Sequence, residues 1–169
     1  MKYQTIYDSP IGKLKLVSDG EHLIGLHFDA DQRDETRVRE NREREVKPFP
    51  DVIRQLDEYF QGKRTVFDIP IRFVGSPFQV RAWEALQSIP YGETISYKKQ
   101  AERVGSVPRA VGLANGQNPI ALIVPCHRVI GANGQLVGYG GGLPLKKALL
   151  NFEATVHDFG PQPFSLVPA

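Results

Sequence analysis

Between Lys2 and Phe28 the apolar positions alternate with polar ones in short runs. KYQTIY is followed by Ser9-Pro10-Ile11-Gly12, then KLKLVS with Leu14 and Leu16 on one face, then Asp19-Gly20 and HLIGLHF. A period of two broken by turn residues predicts strands, and the close spacing predicts an antiparallel meander. Residues 29 to 48 break the pattern, with seven acidic and six basic residues in twenty positions. A stretch with so little to bury reads as a solvated loop or exposed helix, and its near-neutral balance argues against a nucleic-acid arm. Between Pro50 and Phe60 the period becomes helical, with Val52, Ile53, Leu56, Tyr59 and Phe60 on one face and Gly62 as the stop. TVFDIPIRF then predicts a return to strand.

A second unit begins at Gly75-Ser76-Pro77. Ser76 as N-cap, Pro77 at the first helical position and Gln79 two residues on predict a capped helix burying Phe78, Ala82, Trp83, Leu86 and Ile89, stopped by Pro90-Tyr91-Gly92. Ser96 caps a second helix, Tyr97 to Val104, ended by Gly105, and Pro108 starts a third, Arg109 to about Gln117. Two short helices joined by a tight turn read as a helix-turn-helix. An apolar strand (IALIV), the turn Ala132-Asn133-Gly134 and a return strand predict a hairpin wing, followed by a last helix from about Pro144 to Glu153. The tail from Val156, with Pro161, Pro163 and Pro168, is expected to wrap the surface or fray.

Composition narrows the function classes. The 169 residues are 41% hydrophobic and 24% charged, which excludes global disorder and suffices for a core without disulfide or metal staples. One cysteine excludes an internal disulfide and a Cys-rich zinc site, and the four histidines show no paired ligand spacing, so no metal and no cofactor is expected. With no signal-like N-terminus and no long apolar run, a cytoplasmic protein without a membrane partner is expected. The net charge of +2 is unevenly spread: residues 76–153 hold eight Lys+Arg against four Asp+Glu, the remainder thirteen against fifteen. The basic half favours a polyanionic partner.

That half also contains Cys126, between Pro125 and His127. A lone cysteine is more often a small buried hydrophobe than a reagent. Three features favour reactivity. An imidazole is adjacent, provided a turn rather than a regular strand brings both side chains to one pocket. Glu153 is one of only four carboxylates in the basic half and can orient that imidazole. Finally, the run Gly138-Tyr139-Gly140-Gly141-Gly142 lets backbone amides approach a ligand.

The run Asn118-Pro119-Ile120-Ala121-Leu122-Ile123-Val124-Pro125-Cys126-His127-Arg128-Val129 resembles the active-site signature of the alkylguanine-DNA alkyltransferases, which repair alkylated guanine. The resemblance extends in order over Phe78-Gln79 with Trp83, Ile89-Pro90-Tyr91-Gly92-Glu93, Ser96-Tyr97, Arg109-Ala110-Val111-Gly112, the glycine run, and Leu149-Leu150 with Glu153. It implies an α+β protein (α/β in two domains). Residues 1–75 would form a ribonuclease-H-like domain with an antiparallel sheet and the charged loop. Residues 76–156 would form a winged helix-turn-helix-like DNA-binding and active-site domain, and 157–169 a tail.

The resemblance further implies that Cys126 accepts the alkyl group from O6 of guanine, with O4-alkylthymine a further substrate. His127 takes the thiol proton through a water, Glu153 orients His127, Tyr97 hydrogen-bonds or protonates the base, and Asn118 braces the active-site segment. The partner is double-stranded DNA carrying O6-alkylguanine, met in the minor groove by Arg109, Ala110, Gly112, Ala114 and Tyr97, with Arg109 filling the place of a flipped nucleotide. Pro125, Val129, Tyr139, Gly140 and Gly141 would form the substrate pocket. Gly112 and Ala114 are equally compatible with close helix packing, Arg128 with a structural ion pair, and Lys98, Lys99 and Lys146 with either phosphate contact or plain solvation. A free monomer is expected, with cooperative assembly on DNA left open. Two rivals stand beside this reading: a sensor that flags alkylated DNA without repairing it, disfavoured because Cys126 is retained, and a turning-over Cys-His-Glu hydrolase, which gives Arg109 no role.

Overall fold

The computed structural model describes residues 2–28 and 43–165. The N-terminal meander forms as expected: β1 (Tyr3–Ser9), β2 (Gly12–Ser18) and β3 (Leu23–His27) make one antiparallel sheet in that order. The turn pairs Ser9 with Gly12, which sets Thr5 opposite Leu16 and Tyr7 opposite Leu14. That register puts Thr5, Tyr7, Leu14 and Leu16 on the buried face. Helix α1 (Phe49–Phe60) contributes Phe49, Val52, Ile53, Leu56, Tyr59 and Phe60 to the same core. The charged stretch lies, over 29–42, outside the described residues.

TVFDIPIRF is not a strand. A single bridge joins Ile71 to Leu23, through Leu23 N–H to the Pro70 carbonyl at 2.8 Å and Arg72 N–H to the Leu23 carbonyl at 3.1 Å. Pro70 has no N–H to extend the ladder. The buried Gln55 amide takes over upstream, donating to the Asp68 carbonyl at 2.9 Å and accepting from the Asp68 amide at 2.8 Å.

The second unit opens with α2 (Pro77–Gln87) and its reciprocal Ser76/Gln79 capping box. Trp83 is core, its indole N–H donating to the Ala114 carbonyl at 2.8 Å. β4 (Ile95–Ser96) leads into α3 (Tyr97–Val104), where Ser96 Oγ accepts from the Lys99 amide and Gly105, at φ 69°, makes the left-handed C-cap. Helix α4 (Pro108–Gly116) completes the helix-turn-helix.

Three expectations are corrected. IALIV is not a strand but a buried loop. Asn118 Oδ1 accepts from the Ile120 amide at 3.0 Å and its Nδ2 donates to the Val124 carbonyl at 2.9 Å, while Leu122 adopts φ 71°. Ile120, Ala121, Leu122 and Val124 are buried all the same, since a run this apolar is covered by both units whatever its backbone. The hairpin wing is likewise absent: a turn closes through Gly131 N–H to the Gln135 carbonyl at 2.7 Å, but no return strand follows it. Instead β5 (Val129–Ile130) pairs in parallel with β4, tying the cysteine segment to the start of the helix-turn-helix. The last helix, α5, runs from Leu143 to Phe159, past both Glu153 and Val156. Beyond it the chain wraps rather than frays as far as it is described, with Phe164 N–H on the Phe60 carbonyl at 2.7 Å and its ring against Phe60 and Phe152. No helix among the described residues is long and apolar enough to cross a membrane.

Candidate active site

The cysteine segment turns twice. Pro125, at φ −83° and ψ 68°, makes an inverse γ-turn closed by the Cys126 amide on the Val124 carbonyl at 2.9 Å. Cys126–Arg128 then form one 3₁₀ turn. Three successive side chains therefore diverge. Cys126 faces a cavity, His127 is fully enclosed, and Arg128 points back into the core, donating to the Ile89 carbonyl at 2.8 Å.

Glu153 of α5 gathers these groups. His127 Nε2 lies 2.7 Å from Glu153 Oε2, Arg128 Nε donates to Oε1 at 2.7 Å, and Arg128 Nη2 donates to Oε2 at 3.1 Å. The Tyr59 hydroxyl, from α1, donates to Oε2 at 2.7 Å. Burial pushes the Glu153 carboxyl up, but the charge and hydrogen bond of His127, then those of Arg128, outweigh it and hold the group well below the usual carboxylate range. An ionised carboxylate is acceptor only, so Nε2 carries the imidazole hydrogen, and in the neutral ring Nδ1 presents its lone pair. His127 Nδ1 is buried and has no hydrogen-bond partner among the described residues. The ring is thus oriented as a base.

Ionising the neighbouring thiol would call for such a base. Burial pushes the Cys126 thiol above its ordinary value, and the hydrogen bond with Asn118, the Lys146 charge and a backbone contact offset this only in part. Asn118 therefore both folds the loop and supports the sulfur.

The cavity holds about 580 Å³ and is lined by Tyr97, Pro108, Arg109, Gly112, Asn115, Gly116, Cys126, Val137, Gly138, Tyr139 and Gly140. One wall is α4, the second helix of the helix-turn-helix. Tyr97 and Arg109, distant in sequence from the cysteine, are brought to it, and Arg109 is exposed at the helix start. Pro125, Val129 and Gly141 are not among its lining residues. Pro125 faces a smaller cavity of about 180 Å³ on the other side of the segment, and Val129 is buried in β5. A methyl on Gly112 would meet the Tyr97 ring at an ordinary 3.8 Å, so packing does not demand that glycine, whereas Ala114 is buried under Trp83. Ala110 is half-buried, and Lys98 and Lys99 are exposed.

Lys146 departs from expectation. It is fully buried, its ammonium donating to the Val137 carbonyl at 3.0 Å, to Tyr97 Oη at 3.3 Å and to the Gly138 carbonyl at 3.4 Å. It pins the glycine-rich loop to the phenol, and the Tyr97 hydroxyl donates to the Val137 carbonyl at 2.8 Å. Burial lowers the Lys146 value, while proximity to Cys126 acts in the opposite direction. Sequence reading missed Tyr59 in the site altogether, because its place on an apolar helical face marks it only as core.

Comparison with known proteins agrees with this architecture. Residues 2–73 match the family described as 6-O-methylguanine DNA methyltransferase, ribonuclease-like domain, and residues 77–155 match its DNA binding domain. The chain is 51% identical over 158 residues to the methylated-DNA–protein-cysteine methyltransferase of Mycolicibacterium paratuberculosis, covering 90% of this chain and 92% of the relative. It is 44% identical over 155 residues to that of Methanosarcina acetivorans, covering 90% and 99%. The crystal structure of Mycobacterium tuberculosis OGT in complex with DNA superposes with a TM-score of 0.79 at 46% identity, covering 90% of this chain and 93% of that one. With its N-terminal sheet domain, its C-terminal helical domain and relatives matched over nearly their full length, this chain belongs to the 6-O-methylguanine DNA methyltransferase family.

Proposed function

We propose that this protein repairs DNA by direct reversal, transferring the alkyl group of O6-alkylguanine in a duplex to Cys126. The observation that carries the reading is a buried thiol that faces a cavity walled by the second helix of a helix-turn-helix and is followed in sequence by an imidazole held by Glu153. The names of the relatives and the DNA complex of the Mycobacterium tuberculosis protein point the same way.

The chemistry follows from the geometry. His127 Nδ1 takes the Cys126 proton through one water, and Glu153 stabilises the imidazolium. The thiolate attacks the alkyl carbon, a sulfur–carbon bond forms as the carbon–O6 bond breaks, and the electron pair leaves with the purine. Tyr97 turns its single O–H from the Val137 carbonyl to the base and meets that charge as a hydrogen-bond donor, sharpened by the Lys146 ammonium on its oxygen. The purine takes up a proton and returns to the stack as guanine. The thioether has no leaving group that water displaces, so each molecule acts once. O4-alkylthymine fits the same displacement.

The reacting carbon is out of reach inside a base stack, so the nucleotide is flipped into the cavity, and Arg109 at the start of α4 occupies the vacated place. Gly112 leaves the face of α4 low beside the DNA. Tyr139 and Gly140 wall the alkyl pocket. The division into 1–75, 76–156 and a tail, action as a monomer and a cytoplasmic setting that keeps the thiol reduced complete the reading.

The test is incubation with duplex DNA bearing one O6-methylguanine, followed by peptide mass spectrometry. One methyl group on the Cys126 peptide and a restored guanine are expected. An unmodified peptide with the lesion intact overturns the reading, and multiple turnovers would favour a hydrolase.

A further inference from the structure

Three donors converge on a single oxygen of Glu153. His127 Nε2 and the Tyr59 hydroxyl each lie 2.7 Å from Oε2, and Arg128 Nη2 lies 3.1 Å away. Among the described residues Oε1 receives only Arg128 Nε. Tyr59 sits 94 residues before Glu153, on α1 of the N-terminal domain. Its ring needs no hydroxyl to pack: it stacks on Phe67 at 5.5 Å and meets Phe60, Phe152 and Tyr91 edge-on. The hydroxyl is thus a polar group added to an aromatic cluster, aimed at the oxygen that His127 uses.

We propose that Tyr59 is a positioning residue for alkyl transfer, contributed by the N-terminal domain: its hydroxyl shares Glu153 Oε2 with His127 and so limits how strongly the carboxylate holds the imidazole proton. The inference rests on the proposed role of His127 as base. A carboxylate oxygen already accepting from a phenol is a weaker acceptor toward its other partners. With that donor removed, Oε2 binds the His127 N–H more strongly, the doubly protonated ring is favoured, and fewer molecules hold a free Nδ1 lone pair. When the lone pair is free, transfer is not impaired.

The other groups around this pair do not duplicate the effect. Arg128 faces Glu153 from the 3₁₀ turn and is positive throughout. Tyr91, before β4, and Tyr139, in the glycine-rich loop, both sense the Glu153 charge, but neither hydroxyl has a hydrogen-bond partner among the described residues. Cys126 faces the cavity, and Lys146 of α5 is engaged with Tyr97 and the loop carbonyls.

The test is Tyr59→Phe in the full chain. Single-turnover transfer from a duplex with one O6-methylguanine is measured across pH, alongside an NMR titration of the His127 ring nitrogens. Losing one hydrogen bond to a charged group is expected to move the acidic limb up by roughly 0.5 to 1 pH unit, a three- to tenfold loss of rate on that limb. On the alkaline plateau the rate is expected to stay within about twofold of wild type. A rate reduced equally at every pH, or an unmoved NMR midpoint, overturns the proposal. Should the variant fail to fold, a ring-fluorinated tyrosine at position 59, a stronger donor, is expected to move the midpoint down, and no movement overturns the proposal. Wild-type protein inert toward the lesion would overturn the functional reading instead, and the NMR titration still decides for or against Tyr59.

Discussion

Gln100 of α3 and Asn115 of α4 exchange two amide hydrogen bonds, Gln100 Nε2 to Asn115 Oδ1 at 2.8 Å and Asn115 Nδ2 to Gln100 Oε1 at 2.7 Å. Both side chains are buried, and Gln100 also donates to the Ala82 carbonyl of α2 at 3.2 Å. The pair locks the two helices of the helix-turn-helix to each other and to α2. Asn115 also lines the cavity, so the lock and the site share a residue.

Asn115→Ala leaves the buried Gln100 Oε1 without the donor it has in Asn115, at an expected cost of about 1–3 kcal/mol. Urea denaturation of both single mutants and the double mutant checks this. The coupling between the two positions is expected to exceed about 0.5 kcal/mol, and simple additivity would show that the pair is not a unit.

Glu153 predicts a pH dependence of stability. Its folded value is held below its unfolded one, so its stabilisation is full above the unfolded carboxylate range, near 4.3, and drains away as pH falls toward the folded value. Glu153→Gln leaves Arg128 buried and uncompensated, at an expected cost of about 3–5 kcal/mol at neutral pH. The gap between wild type and mutant is expected to narrow below about pH 4. Thermal unfolding from pH 7 to pH 3 measures it, and a gap that stays constant would contradict the assignment.

Gly62 ends α1 at φ 74°, and a Cβ there would lie 2.4 Å from the Gln162 carbonyl oxygen and 2.6 Å from its amide nitrogen. Gly62→Ala therefore combines left-handed strain of roughly 1–2 kcal/mol with displacement of the tail backbone. Lower Tm and faster proteolysis near Gln162 are expected, with little change in transfer rate at low temperature.

For the proposed repair reaction, Cys126→Ser is expected to abolish transfer and retain binding to duplex DNA. Arg109→Ala, at an exposed position, is expected to leave Tm unchanged and lose repair mainly through weaker flipping, read by a fluorescent base analogue beside the lesion. Wild-type repair by Arg109→Ala would remove its role.

Much of this protein is legible in local sequence. The Ser76/Gln79 capping box, the Ser96 cap, the Gly105 stop and the antiparallel meander follow from rules that act over a few residues, and all appear in the structure. The misreadings share a cause. IALIV and TVFDIPIRF are apolar enough for strands, yet Asn118 and Gln55 side chains meet backbone groups that a ladder would otherwise pair. Composition does not distinguish the two arrangements.

By itself the sequence determined the two units, the helix-turn-helix, the Pro125-Cys126-His127-Arg128 motif and its resemblance to a repair family, because each is written in neighbouring residues. Tertiary structure alone decided that Lys146 is buried against Tyr97 and the glycine-rich loop, that Arg128 and His127 share one carboxylate, and that a tyrosine from the other domain reaches it. These contacts join residues as far as 94 positions apart, and which donor meets which acceptor at that range is settled only when the core closes around them.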